Sequence, residues 1–431
     1  MASSWGQYPR VTDQHVQPLF WRTMPLPKAS SLLPFGQGRS YGDACLNEGG
    51  TIVPTAPLNH FISFNPVTGM LLSESGVTLA DILKLIMPHG WFLPVTPGTK
   101  FISVGGAIAN DVHGKNHYRA GTFGCHLTQF ELLRSNGERP ICSPEQNTDL
   151  FHATIGGLGL TGLITWAALK LKQRSSVLMS AESIKVKNIE EAINLLHASR
   201  DSHEYSTAAL DSTAGGRATG RGYVLRGNHS SDTASNDFYR DPTFTVPFNV
   251  PGNVISTSLI TLFNRLYYHR QFAARIQKQM HYEPFFYPQD AIGYWNRLYG
   301  KRGFLQHQSY LPTNTAASAA RELLSVATKA GFASPITTLK LFGDIPSPGM
   351  LSFPRPGFTL ALDYPNTGQP VYNLFQKLTK IVREAGGSIY LAKDAQLSSD
   401  DFQAFYPNWQ EFSRFIDPQF SSSLWRRVKP R

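Results

Sequence analysis

The sequence predicts an α+β fold: a glycine-punctuated first part with short strands, then an antiparallel sheet flanked by helices. Three observations lead there. Short apolar runs in the first 170 residues are broken repeatedly by glycine, which leaves little room for helices. From about Ser180 the texture changes to alternating strand and helix patterns. No strand-helix-strand order with a dinucleotide fingerprint occurs, so a parallel doubly wound sheet is not expected. At 431 residues the chain is longer than one core usually serves. The boundaries read as a first domain at 1–176, a second at 177–387 and a closing segment at 388–431.

In chain order, Thr51–Val53 and Met70–Leu72 read as strands. Thr78 is placed to cap a helix whose Leu79, Ile82, Leu83 and Ile86 share a face, ended by Pro88 and Gly90. Beyond Ser180, Ser183–Lys187 and Tyr223–Arg226 read as strands and Ile189–Arg200 as a helix. The stretch 228–253 is polar and reads as a long loop. Phe304–Gln308, Thr337–Phe342 and Thr359–Leu362 are strand candidates. Ala316–Ala330 and Val371–Ala385 are helix candidates; Leu374, Leu378, Ile381 and Val382 line one face of the second.

Composition narrows the function classes. Apolar residues make up 41% and charged residues 16%, which excludes a disordered chain. The net charge of +10 calls for an acidic partner: nucleic acid, anionic lipid, or a phosphorylated substrate or cofactor. No RRM, KH, zinc-finger or helix-turn-helix signature is present, and no nucleic-acid partner is expected. The basic, Trp425-containing C-terminus (Arg426, Arg427, Lys429, Arg431) reads as a solvated tail, with a lipid contact as the alternative. Cys45, Cys125 and Cys142 form no CxxC pair, so reduced thiols are expected. No H-x-x-x-H pair falls on a helix pattern; His113 and His117 lie in a glycine-rich stretch, their spacing reads as incidental, and no metal is expected. Met1 to Arg10 lacks the apolar core of a signal peptide, and no run is long enough to span a bilayer. The expected location is therefore the cytoplasm or the inner-membrane surface; a periplasmic one carries no signal in the sequence.

Three glycine segments carry the chemistry. In Pro34-Phe35-Gly36-Gln37-Gly38-Arg39-Ser40-Tyr41-Gly42-Asp43, glycines free the backbone N–H groups, and Ser40 and Arg39 add a donor and a charge. A diphosphate needs such a cradle, although a tight loop uses the same residues. Neither a Rossmann fingerprint nor a P-loop fits here. Small residues from Ser103 to Ala109 permit another close approach, and His113, Lys115 and His117 bring polar groups after them. The third segment is Gly156-Gly157-Leu158-Gly159-Leu160-Thr161-Gly162.

In this order the three segments resemble the FAD domain of the vanillyl-alcohol-oxidase (PCMH-type) flavoprotein superfamily. The resemblance implies a two-part FAD-binding domain, to which residues 388–431 return, and a substrate domain. It implies FAD contacts from Gly36, Gln37, Gly38, Arg39, Ser40, Tyr41, Gly42, Gly98, Ser103, Val104, Gly105, Gly106, Asn110, His113, Ile164 and Tyr390. Many members bond flavin covalently through a histidine where Arg39 stands. Arginine cannot do so, which implies non-covalent FAD. Gly38–Asp43, Asp111–His117, Tyr294–Arg297 and Tyr390–Asp394 are similar to the superfamily branch that oxidises the 2′-hydroxyl of polyprenyl-phosphoryl ribose.

That similarity implies catalytic roles for Lys393, Tyr41 and His113, and substrate contacts from Lys115, Gln308, Lys340 and Thr359. By itself Lys393 reads as a surface lysine paired with Asp394, His113 as a core hydrogen bond and Lys115 as solvated. Gln306 and Gln308 alternate and so share a face. Where some relatives carry Asn-x-Cys, this chain has Thr359 and Ala361, so no thiol is expected there. The implied partners are a polyprenyl-phosphoryl pentose, a short-chain-type keto-reductase that completes an epimerisation for cell-envelope arabinan, and a peripheral membrane contact. An alditol or aldonolactone oxidase of the same superfamily is the alternative activity.

Overall fold

A computed structural model describes residues 2–174, 176–231, 244–251, 255–335 and 337–430. Much of the loop expected at 228–253 lies outside them; within them, Gly222–His229 is a strand and Phe244–Thr245 a short one.

The first part is built on a three-stranded parallel sheet and a five-stranded antiparallel one. Thr51–Pro54 and Met70–Glu74 are strands, as the sequence predicts. Helix Leu79–Ile86 starts where Thr78 Oγ1 accepts the Asp81 N–H, and it buries Leu79, Ile82, Leu83 and Ile86. Gly90, at φ 77°, closes the turn that follows. The glycines, expected to leave little room for helices, nevertheless admit one at Val104–Ala109. Ser103 caps this helix, and burial of Val104, Ala107 and Ile108 outweighs the cost of Gly105 and Gly106.

The second part is one eight-stranded sheet, antiparallel at every pairing. Helices Ile189–Ser199, Ala316–Lys329 and Gln369–Glu384 bury their apolar stripes with the sheet residues Ala208, Val224, Leu339 and Leu360 in one core. Strand alternation therefore turns Thr207, Gln306, Gln308, Thr338, Lys340, Thr359 and Ala361 to a cavity on the other side.

The C-terminus is not a solvated tail. Ser423–Val428 is a helix with Trp425 buried against Phe402 and Phe412. Arg427 reaches Asp43 at 2.7 Å and Asp394 at 2.8 Å, joining the start of the chain to its end. Among the described residues no helix is long and apolar enough to cross a membrane.

Candidate active site

One cavity of about 1130 Å³ runs between the glycine segments and the open face of the large sheet. The three segments converge on it. A Cβ on Gly36 would lie 2.5 Å from Ser103 Oγ, so the first two loops touch. Gly156 and Leu158 donate N–H groups to the Ile108 and Ala109 carbonyls, which ties the third segment to the second. Gly38 takes φ 61°, which lets the first loop reverse without strain.

The lining contains most residues singled out from the sequence: Gly36, Gln37, Gly38, Arg39, Ser40 and Tyr41; Gly98, Ser103, Gly105, Gly106 and Asn110; and Ile164 and Tyr390. Two do not line it. Val104 turns into the apolar core beside Val77 and Ile102. Gly42 backs onto the Asp394 carbonyl, where a Cβ would sit only 1.6 Å away. His117, expected to join His113 and Lys115, is turned aside: its Nδ1 accepts the Gly343 N–H.

The cavity suits a dinucleotide. Its volume exceeds the range of about 300–1,000 Å³ usual for small-ligand pockets. Among the described residues, nothing accepts the N–H groups of Gln37, Gly38, Arg39 and Ser40, so they are free for an anion. Ser75 Oγ and His113 Nδ1 are buried without a partner, and a polar ligand would satisfy both. Arg39 stacks 4.3 Å over the Trp5 ring and donates to the Gln37 carbonyl, which holds its charge beside the loop.

Deeper in, polar groups cluster. Lys393 stands on a short 3-10 turn, Leu391–Lys393, after strand Ser388–Ile389. Its Nζ sits 3.3 Å over the Tyr41 ring. It does not pair with Asp394, which Arg427 occupies. Gln308 Nε2 lies 3.2 Å from both His113 Nε2 and Thr359 Oγ1. Lys340 is directly opposite Thr359 in the sheet register. Tyr390 donates its hydroxyl to the Asn110 carbonyl at 2.9 Å, and its ring stacks on Phe353. Lys115 donates to the Phe285 carbonyl beside the Phe285 and Phe286 rings.

Burial sets the charge states here. Lys340 is pushed down to about 8 by burial. Lys115 is pushed to about 7 by burial and then by the Lys340 ammonium. Lys393 falls well below the ordinary lysine value, chiefly by burial; Asp363 pulls it back and Lys340 lowers it further. Burial raises the Asp363 carboxyl, while Gln306 and Lys393 oppose the rise. His113 falls well below 6.5, first by burial and then through Lys340, so it is neutral at pH 7. This is an environment for moving a proton between neutral amine and hydroxyl.

Sequence reasoning missed Asp363 and Ser75. Asp363 had a signal: it follows Thr359 and Ala361 at spacing two, and it faces Gln306 in the register. Ser75 had none, because its place depends on the meeting of distant loops. Among the described residues no three His, Cys, Asp or Glu side chains are grouped as for a metal.

Comparison with known proteins agrees with this architecture. Residues 28–143 match a family described as an FAD binding domain. A decaprenylphosphoryl-β-D-ribose oxidase of Mycolicibacterium smegmatis is 34% identical over 413 residues, covering 91% of this chain and 88% of that protein. A Streptomyces coelicolor protein encoded in the mprA 5′ region is 31% identical over 375 residues, 82% of this chain and 100% of the other. A Neurospora crassa protein assigned as a D-arabinono-1,4-lactone oxidase is 32% identical over 112 residues, 26% of this chain and 20% of the other.

Proposed function

The chain belongs to the decaprenylphosphoryl-β-D-ribose oxidase family of FAD-dependent oxidoreductases, and from that premise we propose that it oxidises the 2′-hydroxyl of a polyprenyl-phosphoryl-β-D-ribose to the 2-keto sugar. The observation that carries the proposal is the buried Lys393 amine over the Tyr41 ring, in one cavity with the Gln308–His113–Thr359 cluster.

FAD, when bound, supplies the acceptor for the hydride of the alcohol carbon. The chain's own residues do the rest. The unaccepted N–H groups of Gln37 to Ser40 would hold the FAD diphosphate. Arg39 offers no covalent link to a flavin at its position. Lys393, kept partly neutral by burial, accepts the hydroxyl proton. Tyr41 orients the Lys393 amine through its ring face. Gln308 and Thr359 hold the sugar, and neutral His113 offers a hydrogen bond without adding charge. Lys340 and Lys115 provide cations for the phosphate.

The 2-keto product is consumed by a keto-reductase of the short-chain type, which completes epimerisation to the arabinose donor. The Neurospora relative keeps free-sugar oxidation in view, but its match covers only 26% of this chain.

The test is anaerobic mixing of the yellow protein with prenyl-phosphoryl ribose or with free alditols and aldonolactones. Bleaching by the first alone supports the proposal; bleaching by the free sugars alone refutes the substrate. Lys393→Ala should retain bound FAD and lose turnover by about 10²–10⁴-fold. Unchanged turnover would reject Lys393 as the base.

A further inference from the structure

Helix Thr257–His269 buries only two residues and leaves most of its apolar side chains exposed. Ile260 and Asn264, one turn apart, are its buried residues, and Asn264 donates its amide to the Ser334 carbonyl. Leu259, Leu262, Phe263 and Leu266, spaced i, i+3, i+4 and i+7, are 49%, 53%, 51% and 63% exposed. Phe272, just beyond, is 97% exposed. Single exposed apolar residues are ordinary; a continuous stripe of this kind marks a contact surface.

Charge says which contact. From Ile255 to Tyr282 the chain has no Asp or Glu but carries Arg265, Arg270, Arg275 and Lys278. Arg275 pairs with Glu182. Among the described residues the other three have no acidic partner. Arg270 and Lys278 also line the cavity where it opens to solvent. Stripe, cations and cavity mouth are therefore continuous.

We propose that this face seats the protein on an anionic phospholipid bilayer. The leucines and phenylalanines would enter the boundary between headgroups and acyl chains, Arg265, Arg270 and Lys278 would meet the phosphates, and the cavity would open toward the membrane. A second copy of the chain fits less well, because a two-fold contact would press these unpaired cations against their own copies. The inference rests on the polyprenyl-phosphate reading of the substrate, since a lipid-borne sugar has to leave the bilayer beside the cavity mouth.

The experiment is cosedimentation of the FAD-loaded protein with vesicles of equal parts phosphatidylcholine and phosphatidylglycerol, and with phosphatidylcholine alone. The protein should pellet with the mixed vesicles, less so in high salt, and only weakly with the neutral ones. The triple variant Leu262→Ser, Phe263→Ser, Leu266→Ser should lower partitioning on the order of a hundredfold. Its flavin absorbance, and its flavin bleaching by a water-soluble short-prenyl phosphoryl ribose, should stay unchanged. Wild-type protein left in the supernatant with mixed vesicles overturns the proposal. So does a triple variant that pellets like wild type, or wild-type self-association that the variant abolishes without vesicle binding. Vesicle binding without bleaching by any prenyl-phosphoryl ribose supports the docking face and removes the substrate reading. Bleaching by the soluble substrate without vesicle binding does the reverse.

Discussion

Replacing Arg427 with Met should destabilise the protein and loosen its hold on FAD, although Arg427 touches no part of the cavity. Its guanidinium donates to both Asp43 oxygens, at 2.9 and 2.7 Å, to Asp394 at 2.8 Å, and to the Leu397 carbonyl. Asp43 ends the first glycine loop and Asp394 follows Lys393. One cation thus fastens the first glycine loop to the Leu391–Lys393 turn. Loss of one partner from a buried ion pair costs about 3–5 kcal/mol; with 26% of its side chain exposed, Arg427 belongs at the lower end, about 3 kcal/mol.

The pH dependence has a definite sign. Burial already raises Asp43 above its ordinary value in spite of Arg427. Without the arginine it rises further, and a raised folded-state pKa favours the fold below the unfolded value and loses that support as pH climbs. The variant's deficit should therefore be larger at pH 8 than at pH 5. Urea unfolding followed by tryptophan fluorescence measures it, with Asp43→Asn and the double variant completing a cycle. A deficit under about 1 kcal/mol, or additivity of the two substitutions, would refute the clamp.

Other expectations follow from the same geometry. Lys340→Met removes a charge that lowers Lys393 and Lys115, so the acid limb of the kcat–pH profile should move up by roughly half to one pH unit; an unmoved limb would dissociate Lys340 from Lys393. Gly42→Ala places a methyl against the Asp394 carbonyl and should cost about 2–3 kcal/mol, seen as a lower Tm in both apo and FAD-loaded protein. Gly98→Ala meets no atom within 4 Å, so apo Tm should hold while FAD affinity, read by fluorescence titration, falls.

Local signals made much of this fold legible. Thr78 capped its helix because its hydroxyl needs only the Asp81 N–H three residues on. Strands Thr337–Phe342 and Gly357–Pro365 alternate plainly because one face meets helices and the other a polar cavity. Hidden features were those whose partners lie far away in sequence. Arg427 looks like part of a basic tail until Asp43, 384 residues earlier, is brought to it. Helix Thr257–His269 escaped notice although its apolar spacing is regular. His117 reads as a companion of His113, but the backbone turns it toward Gly343. At the site, the glycines, His113 and Lys393 could be named from the chain, whereas the partnerless Ser75 hydroxyl could be found only in three dimensions.

The cavity gathers Lys115, Lys340 and Lys393, and the carboxylate that acts on Lys393, Asp363, is itself pushed toward the neutral acid by burial. Three amines so placed cannot all remain charged without counter-ions, and their lowered pKa values express that conflict. A fold selected for stability alone would resolve it with apolar side chains. Kept unresolved, it makes a site that gains from each anion it admits and that leaves an amine neutral enough to take a proton. The same imbalance suits both roles proposed for these lysines, attraction of a phosphorylated ligand and a base poised far below its ordinary pKa, and neither role asks them to be anywhere other than where the sheet register and the Leu391–Lys393 turn put them.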